Sequence, residues 1–394
     1  MARLFIPGNE NEDQLKEYFG SDAMRQIDTL VNTQEFELVS FMRDGHVGYQ
    51  SMPIGGVTAS YDKLAPGGAG FDIGCGNWIG KTSIHISDIT RHDLELIGHE
   101  ILQNVAIGLG VDAGYFADDP LLDDIIAETK HIGLPEITIR NQFGSVGAGN
   151  HYIDLMKDTD GHIWVALHYG SRKLGHSVAS HYLKLLGAKD GMFSEPVFMD
   201  AFSEMGVDYW HDMELAGAYA MMSRRKLGGK IIGQILKDTI VDWVENHHNY
   251  IWLERHYGQD VFVTRKGATP VSPGVRSFIG GSMGTDSAIV TVKTDTESMH
   301  QYQRALGSAP HGAGRVMGRA QAKGNKNRAP RVTTEMMNDW MQKADVVRVG
   351  GDVDESPHCY RNLVEDVLPY HTYLQVVELL TPVLTVMNPS TGRR

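Results

Sequence analysis

The sequence has 394 residues, of which 42% are hydrophobic and 22% charged, a composition typical of folded globular proteins and unlike that of disordered or fibrous chains. Its formal net charge of −13 excludes a protein that coats nucleic acid through overall charge, so any nucleic-acid contact needs a local basic patch. With two cysteines and no run of 18 apolar residues, we expect no disulfide framework, no membrane span and a cytoplasmic location.

The first predicted elements are helical. Apolar residues at helical spacing predict a helix over residues 11–31, with a break and a new N-cap near Gly20. Residues 41–80 are rich in glycine and prone to turns, and residues 92–107 form the next predicted helix.

Short apolar runs bounded by polar residues predict strands at 163–167, 261–264 and 288–292. Between them, the helical periodicity of about residues 208–246 is interrupted by Gly228-Gly229, which predicts an αα-hairpin. A last helix is predicted over residues 373–380, followed by Pro382 and a strand formed by the sequence VLTVM.

The first cluster of residues that could take part in chemistry is the segment from Gly70 to Gly76. A turn at Gly74 would bring Asp72 and Cys75 together; a thiolate is a soft ligand that can bridge two divalent ions, and a carboxylate is a hard ligand. The alternative is a buried turn in which the cysteine is only a small apolar side chain.

Three more clusters contain histidine in polar surroundings. A glycine loop over residues 144–149 can present backbone N–H groups to a phosphate and leads into Asn150 and His151. His168 stands at the end of a predicted strand, and His247 and His248 stand at the end of the predicted hairpin. Adjacent histidines on a helix point about 100° apart, so we expect only one of the last two to reach a shared site.

The fifth cluster places His311 among small residues, with Arg315 and Arg319 close behind, an arrangement that suits an imidazole facing a phosphate. No acidic residue occurs between Ser298 and Thr334, a local reversal of the chain's charge. This basic stretch is either a phosphate or nucleic-acid contact surface or a solvated loop. Its cations are Arg304, Arg315, Arg319, Lys323, Lys326, Arg328 and Arg331.

Together the clusters supply the ligand types of a two-metal phosphoryl-transfer site and a candidate nucleophile. In chain order, the motifs resemble those of the RtcB family of RNA ligases. They are Asp72-Ile-Gly-Cys75-Gly, Gly149-Asn-His151, His168-Tyr-Gly-Ser-Arg172, His247-His-Asn-Tyr250, Thr264-Arg-Lys-Gly267, Gly281-Ser-Met-Gly284 and His311-Gly-Ala-Gly-Arg315.

The resemblance implies one mixed α/β domain over residues 1–394, with central β-sheets flanked by helices, two Mn²⁺ ions and GTP. It implies a reaction that joins RNA ending in a 2′,3′-cyclic phosphate or 3′-phosphate to RNA with a 5′-hydroxyl. It also raises an archease-like activator as a candidate partner.

The resemblance also assigns roles to individual residues. His311 corresponds to the histidine that attacks the α-phosphate of GTP and becomes guanylylated. The implied metal ligands are Asp72, Cys75, His151, His168 and His248, with Cys75 bridging the two ions. The implied nucleotide contacts are Asn150, His151, Asp154, Asn249, Gly281, Ser282, Met283, Ser287, Gly312, Ala313, Gly314 and Tyr360.

The sequence departs from the family pattern at several positions. Asn388 follows the last strand where the family has a lysine that contacts guanine, and Asp154 replaces a glutamate. Gly318 replaces a serine, and the segment around Asp44 and His46 lacks the family lysine. We therefore expect a divergent member with weakened guanine specificity.

Three functions stay open at this point. The first is an RNA ligase that uses His311. The second is a metal-dependent nucleotidyltransferase or phosphoesterase that acts with a different nucleotide or on other RNA ends. The third is a non-catalytic protein that binds RNA ends, which the retained histidine and the full ligand set disfavour.

Overall fold

The computed structural model describes residues 3–8, 10–325 and 327–389 and has a mixed α/β fold, as predicted. The helices are α1 (Glu12–Phe19), α2 (Ser21–Asn32), α3 (Pro66–Ala69), α4 (Arg91–Asn104), α5 (Leu121–Glu128), α6 (Glu136–Gln142), α7 (Arg172–Leu185), α8 (Glu204–Lys230), α9 (Thr296–Arg304), α10 (Arg319–Lys323) and α11 (Thr334–Lys343). The strands are β1 (Arg3–Phe5), β2 (Leu38–His46), β3 (Ile54–Ser60), β4 (Lys63–Leu64), β5 (Gly76–His85), β6 (Tyr152–Lys157), β7 (His162–Tyr169), β8 (Met199–Asp200), β9 (Asp242–His247), β10 (Asn249–His256), β11 (Gln259–Lys266), β12 (Ala268–Pro270), β13 (Ser277–Ile279), β14 (Ser287–Val292), β15 (Ser308–Pro310), β16 (Val347–Gly351) and β17 (Leu374–Pro389).

Two larger sheets form the centre of the protein. One has the strand order β1-β2-β3-β11-β10, and the other has the order β13-β14-β17-β6-β7-β5-β9, with β16 beside β17. Met42 and Val263 of the first sheet meet Val290 of the second in one buried cluster, so the two sheets pack against each other. Helices α4 and α8 cover the second sheet through a separate apolar cluster.

The N-terminal helices confirm the prediction for residues 11–31. Asn11 caps α1 in a capping box with Gln14, and Gly20 separates α1 from α2 with φ of +85°. Helix α4 is confirmed within a few residues, and the three predicted strands lie within β7, β11 and β14.

The predicted αα-hairpin is wrong. Helix α8 runs through Gly228 without a turn and ends in a π-helical turn, Ile231–Ile235, and the chain then forms strand β9 along β5. A Cβ atom at residue 228 would lie 2.2 Å from the ring of Trp78, so this glycine allows the helix to approach the sheet. Inside a helix, glycine costs only about 1 kcal/mol relative to alanine, which packing readily offsets.

The predicted helix over residues 373–380 is also wrong, whereas the predicted strand that follows it is confirmed. Both segments belong to the long strand β17, which pairs with β14 and β6 and runs parallel to β16. The register shifts just after Pro382, so the proline lies at an irregularity that tolerates its missing N–H.

The glycine-rich region of residues 41–80 contains strands as well as turns, namely β3, β4 and parts of β2 and β5. Within the described ranges, no helix combines the length and the apolar character needed to cross a membrane.

Candidate active site

One cavity of about 310 Å³ lies where the two larger sheets meet, and it collects most of the polar motifs of the sequence. Ser287 does not line it, but its hydroxyl accepts a hydrogen bond from the amide of Gly281 (2.8 Å) behind the wall. The other predicted site residues all line it: Asp72, Cys75, Asn150, His151, Asp154, His168, His248, Asn249, Gly281, Ser282, Met283, His311, Gly312, Ala313, Gly314 and Tyr360.

Asp72 and Cys75 converge through a tight turn, as predicted. The amide of Cys75 donates to the carbonyl of Asp72 (2.9 Å), and Gly74 adopts φ of +70°. Burial raises the pKa of the Cys75 thiol well above its ordinary value. A thiol in such a place becomes a thiolate when a positive charge, such as a metal ion, compensates it.

Imidazole groups surround the sulfur of Cys75. The Nε2 atoms of His151 and His168 lie 3.8 and 3.7 Å from the Sγ atom, and Nε2 of His151 lies 3.0 Å from Oδ2 of Asp72. The ring of His248 stacks on that of His168 with centroids 5.0 Å apart. The structure therefore brings the five predicted metal ligands together.

His247 is the last residue of strand β9, and His248 is the single bend residue between β9 and β10, so neither stands at the end of a helix. The side chains of the two residues reach different places. His248 lines the cavity, whereas Nδ1 of His247 lies 2.9 Å from the carbonyl oxygen of Gly74, behind the site. Only one of the two reaches the cavity, as expected, but for a different geometrical reason.

Hydrogen bonds fix the orientation of His168. Its Nδ1 lies 2.8 Å from Oδ1 of Asn77, and because an amide oxygen only accepts, this contact places the ring proton on Nδ1. The amide of Asn77 donates in turn to Asn246 (3.2 Å). Burial lowers the pKa of His168 and of His248 well below the usual range, so both are neutral near pH 7 and available as ligands.

This set of donors fits a divalent transition-metal ion. The Nε2 atoms of His151 and His168 both face Sγ of Cys75, and the Nδ1 atom of His248 is buried without a hydrogen-bond partner in the described structure, an arrangement that is costly unless another group satisfies it. The possible donor atoms of Cys75, His151 and His168 all lie within 4.8 Å of one another. Sulfur and imidazole donors favour a transition metal over Mg²⁺ or Ca²⁺.

His311 lies beside this cluster, with its ring centroid 4.9 Å from that of His248. Its Nδ1 lies 2.5 Å from Oδ2 of Asp44, and the same oxygen accepts from the backbone amides of His311 (2.9 Å) and Gly312 (3.2 Å). Asp44 is fully buried. The carboxylate therefore holds the ring proton on Nδ1 and leaves the lone pair on Nε2.

Several small residues around the cavity serve close packing. A Cβ atom at residue 147 would lie 2.0 Å from Nδ1 of His151, so the glycine loop lets this imidazole pack closely. A Cβ atom at Gly314, which has φ of +73°, would lie 2.1 Å from the carbonyl oxygen of Asp44. Glycine is therefore needed where the His311 loop passes the aspartate that orients His311.

Arginine and acidic side chains close one end of the cavity. Arg315 donates to the hydroxyl of Tyr360 (2.8 Å), and that hydroxyl donates to Glu355. Arg319 forms ion pairs with Glu355 and with Asp354, the latter at 3.0 Å. Two guanidinium groups thus face the cavity with their positions already fixed by buried carboxylates.

The predicted nucleotide contacts Asn249 and Asp154 have distinct environments. Oδ1 of Asn249 accepts from the amide of Gly267 (2.8 Å), which fixes the side chain at the cavity wall. Asp154 on β6 is 3% exposed, and its Oδ1 atom has no hydrogen-bond partner in the described structure. Burial raises the pKa of Asp154 to about 7.

Acidic side chains from another part of the chain partly neutralise the basic stretch of residues 299–333. Three of its cations form ion pairs with acidic side chains of residues 352–355. Arg328 and Arg331 are exposed and form no ion pair within the described parts of the chain, while Lys326 lies outside them. The basic surface is therefore smaller than the sequence alone suggests.

Sequence reasoning did not select three residues that organise this site: Asp44, Asn77 and Glu355. Each lies within or next to one of the sequence motifs described above. Asp44 is in the segment compared with the family's N-terminal motif, Asn77 follows the Cys75 turn, and Glu355 precedes Tyr360. Their partners are distant in sequence, so no local pattern revealed their roles.

The fold and the cavity define a mixed α/β protein with a candidate metal centre beside a histidine that a buried carboxylate orients. The family described as tRNA-splicing ligase RtcB matches residues 26–138 and 128–388, and the chain belongs to this family. An RNA-splicing ligase RtcB of Escherichia coli (strain K12) is 26% identical over 401 residues, covering 93% of this chain and 94% of its own. The tRNA-splicing ligase RtcB of Archaeoglobus fulgidus is 29% identical, and the match covers 79% of this chain and 79% of that protein. The tRNA-splicing ligase RtcB of Thermococcus kodakarensis is 27% identical, and the match covers 94% of this chain and 92% of that protein.

Proposed function

We propose that this protein is a GTP- and Mn²⁺-dependent RNA ligase that joins 2′,3′-cyclic phosphate or 3′-phosphate RNA ends to 5′-hydroxyl ends through a guanylylated His311. One observation carries the proposal. The imidazole of His311, with its proton directed to Asp44, stands beside the cluster of Cys75, His151 and His168 in one cavity. Family membership and the names of the relatives support RNA as the substrate.

His311 acts as the nucleophile in the first step. The lone pair on Nε2 attacks the α-phosphorus of GTP, an N–P bond forms, and the bond to the leaving pyrophosphate breaks. The imidazole becomes positively charged as this bond forms, and the carboxylate of Asp44, 2.5 Å from Nδ1, stabilises that charge.

The remaining steps use the same wall of the cavity. Asp72, Cys75, His151, His168 and His248 would hold the two metal ions. When bound, these ions supply positive charge against the phosphate groups. Arg315 and Arg319 also line the cavity and stabilise phosphate charge. A 2′,3′-cyclic phosphate end must first be opened by water, with cleavage of the P–O2′ bond, to give a 3′-phosphate. The guanylyl group then moves from His311 to the RNA 3′-phosphate, and the 5′-hydroxyl displaces GMP and joins the strands.

The test is adduct formation with labelled nucleotide and Mn²⁺. We expect an acid-labile, alkali-stable label on the wild-type protein and none on His311→Asn. His300→Asn provides the matched control, because His300 is exposed on helix α9 and does not line the cavity. A label that persists in His311→Asn would contradict the proposed nucleophile, and the absence of any label on the wild-type protein would contradict the ligase mechanism.

A second candidate function is favoured by one observation at the C-terminal strand. Thr385 and Met387 line the cavity, whereas Asn388, which stands in the position of the family lysine, does not. With no ammonium group there to contact a guanine, the site suits a nucleotidyltransferase or phosphoesterase that uses a different nucleotide or other RNA ends. Comparison of the four nucleotides in the labelling assay separates the two functions.

The proposal extends to organisation, partners and location. We propose one domain for residues 1–394, supported by a buried cluster that unites Phe5 with Leu374. Both cysteines are free and buried, which is consistent with a reducing cytoplasm. An archease-like activator is a candidate partner, as the family resemblance implies.

A further inference from the structure

A buried arginine lies directly behind the candidate metal centre. Arg224 on helix α8 is fully buried, and Nη1 donates to the carbonyl oxygens of Gly74 (2.9 Å) and Tyr169 (2.7 Å). Its Nη2 lies 3.1 Å from Nδ1 of His247. One guanidinium group therefore contacts three separate segments of the chain.

Each contacted residue is the immediate neighbour of a candidate metal ligand. Gly74 precedes Cys75, Tyr169 follows His168, and His247 precedes His248. These neighbours belong to the turn before β5, the end of β7 and the end of β9. A shift of the guanidinium would thus be transmitted to three ligands that come from distant parts of the sequence.

The chemistry of the guanidinium explains why arginine occupies this position. Its planar fork offers five N–H donors in fixed directions, whereas the single ammonium group of lysine cannot reproduce that geometry. No carboxylate forms an ion pair with Arg224 in the described ranges. Burial of a cation without a direct acidic partner is unfavourable, so the arginine is not a simple contribution to stability.

Helix α8 packs closely against the turn that contains Cys75, which allows Arg224 to contact that turn. A Cβ atom at residue 74 would lie 3.1 Å from both the Cβ atom of Ala220 and the Cα atom of Gly217. Small residues on both sides thus allow the helix to approach the turn that contains Cys75.

We infer that Arg224 is a positioning residue that holds Cys75, His168 and His248 in the arrangement required for metal binding. The inference rests on the proposed metal centre and adds a residue that does not contact the metal itself. It concerns the geometry of the ligands, so metal affinity and the electronic spectrum of the bound ion report on it directly.

The experiment uses Co²⁺ as a spectroscopic probe of the purified full-length protein. The wild-type protein should show a thiolate-to-Co²⁺ charge-transfer band that Cys75→Ser removes. Arg224→Lys and Arg224→Gln should bind Co²⁺ about tenfold or more weakly and show altered d–d bands, since loss of groups that orient ligands typically costs ten- to hundredfold in affinity.

Arg225→Gln is the matched control. Arg225 is the next residue of α8, is 45% exposed and pairs with Glu245, so its loss should leave the affinity and the spectrum unchanged. Circular dichroism and thermal unfolding of the metal-free proteins establish that each variant folds.

The outcomes separate this inference from the proposed function. A wild-type protein without a Cys75-dependent band would refute the proposed metal centre. A wild-type band that persists with the same affinity and shape in a folded Arg224→Lys or Arg224→Gln would overturn the role of Arg224 alone. If both Arg224 variants fail to fold while Arg225→Gln folds, the arginine is required for stability and the inference is wrong.

Discussion

Replacement of Asp154 by asparagine should make the metal-free protein more stable above neutral pH. The carboxyl group is 3% exposed on strand β6, and its Oδ1 atom has no hydrogen-bond partner in the described structure. Burial raises its pKa from 3.8 to about 7. An amide of nearly the same shape removes the charge that burial disfavours.

The sign of the effect follows from linkage. The pKa of Asp154 is higher in the folded than in the unfolded state, so the folded state binds more protons between pH 4 and pH 7. The associated stability is fully present below pH 4 and is lost as the pH rises through 7. A shift of this size corresponds to about 4 kcal/mol in total, of which about 2–3 kcal/mol is lost between pH 5 and pH 8.

The assay is urea unfolding at several pH values from 5 to 8, with a chelator present to keep the protein free of metal. The free energy of unfolding of Asp154→Asn minus that of the wild type should rise with pH by about 2–3 kcal/mol over this range. A difference that does not change with pH would show that the carboxyl group is already ionised in the folded protein and would refute the reasoning.

Asp158→Asn provides the control with the opposite sign. Asp158 is also buried, but burial is outweighed by its contacts with Lys81 and Trp164, which hold the pKa of its carboxyl below 3.8. Its ionised form therefore stabilises the folded state, and the asparagine variant should be less stable than the wild type at every pH above 5.

Three further predictions concern metal, nucleotide and RNA. Cys75→Ala should lose both metal ions, because the proposed bridging thiolate would serve each, and elemental analysis that finds two ions per chain in this variant would contradict the bridging role. Asn388 lacks the ammonium group of the family lysine, whose contact with guanine is worth roughly 1.5–3 kcal/mol. The preference for GTP over the other nucleotides in the labelling assay should therefore be about tenfold to a hundredfold weaker than with a lysine at this position. Strict GTP dependence would refute this prediction. Arg328→Gln with Arg331→Gln should weaken RNA binding and reduce its salt dependence by up to about two charges, without affecting labelling of His311. Lys323→Gln, which removes a cation already paired with acidic side chains, should have a smaller effect, and unchanged RNA affinity in the double variant at low salt would exclude this surface.

The sequence determined the composition of the site with little help from the fold. Ligand-type residues occur in short motifs at Cys75, His151, His168 and His248, and the structure places all four on one cavity. Such side chains are informative in sequence because a thiol or an imidazole can bind a metal ion, and an ordered series of motifs that carry them is more specific than any single one. The N-terminal helices were equally readable, since apolar residues at helical spacing and the break at Gly20 are local signals.

Only the tertiary structure decided the features that depend on distant partners. Gly228 is compatible both with a helix break and with close packing, and the ring of Trp78 selects the second. Strand β17 satisfies its backbone hydrogen bonds through three other strands, which no local pattern of residues 373–380 encodes. Asp44 orients His311 across 267 positions of the sequence, and Arg224 reaches Gly74 across 150. Contacts of this kind arise when the chain folds, because sequence patterns carry the preferences of single elements and not the identity of the elements packed against them.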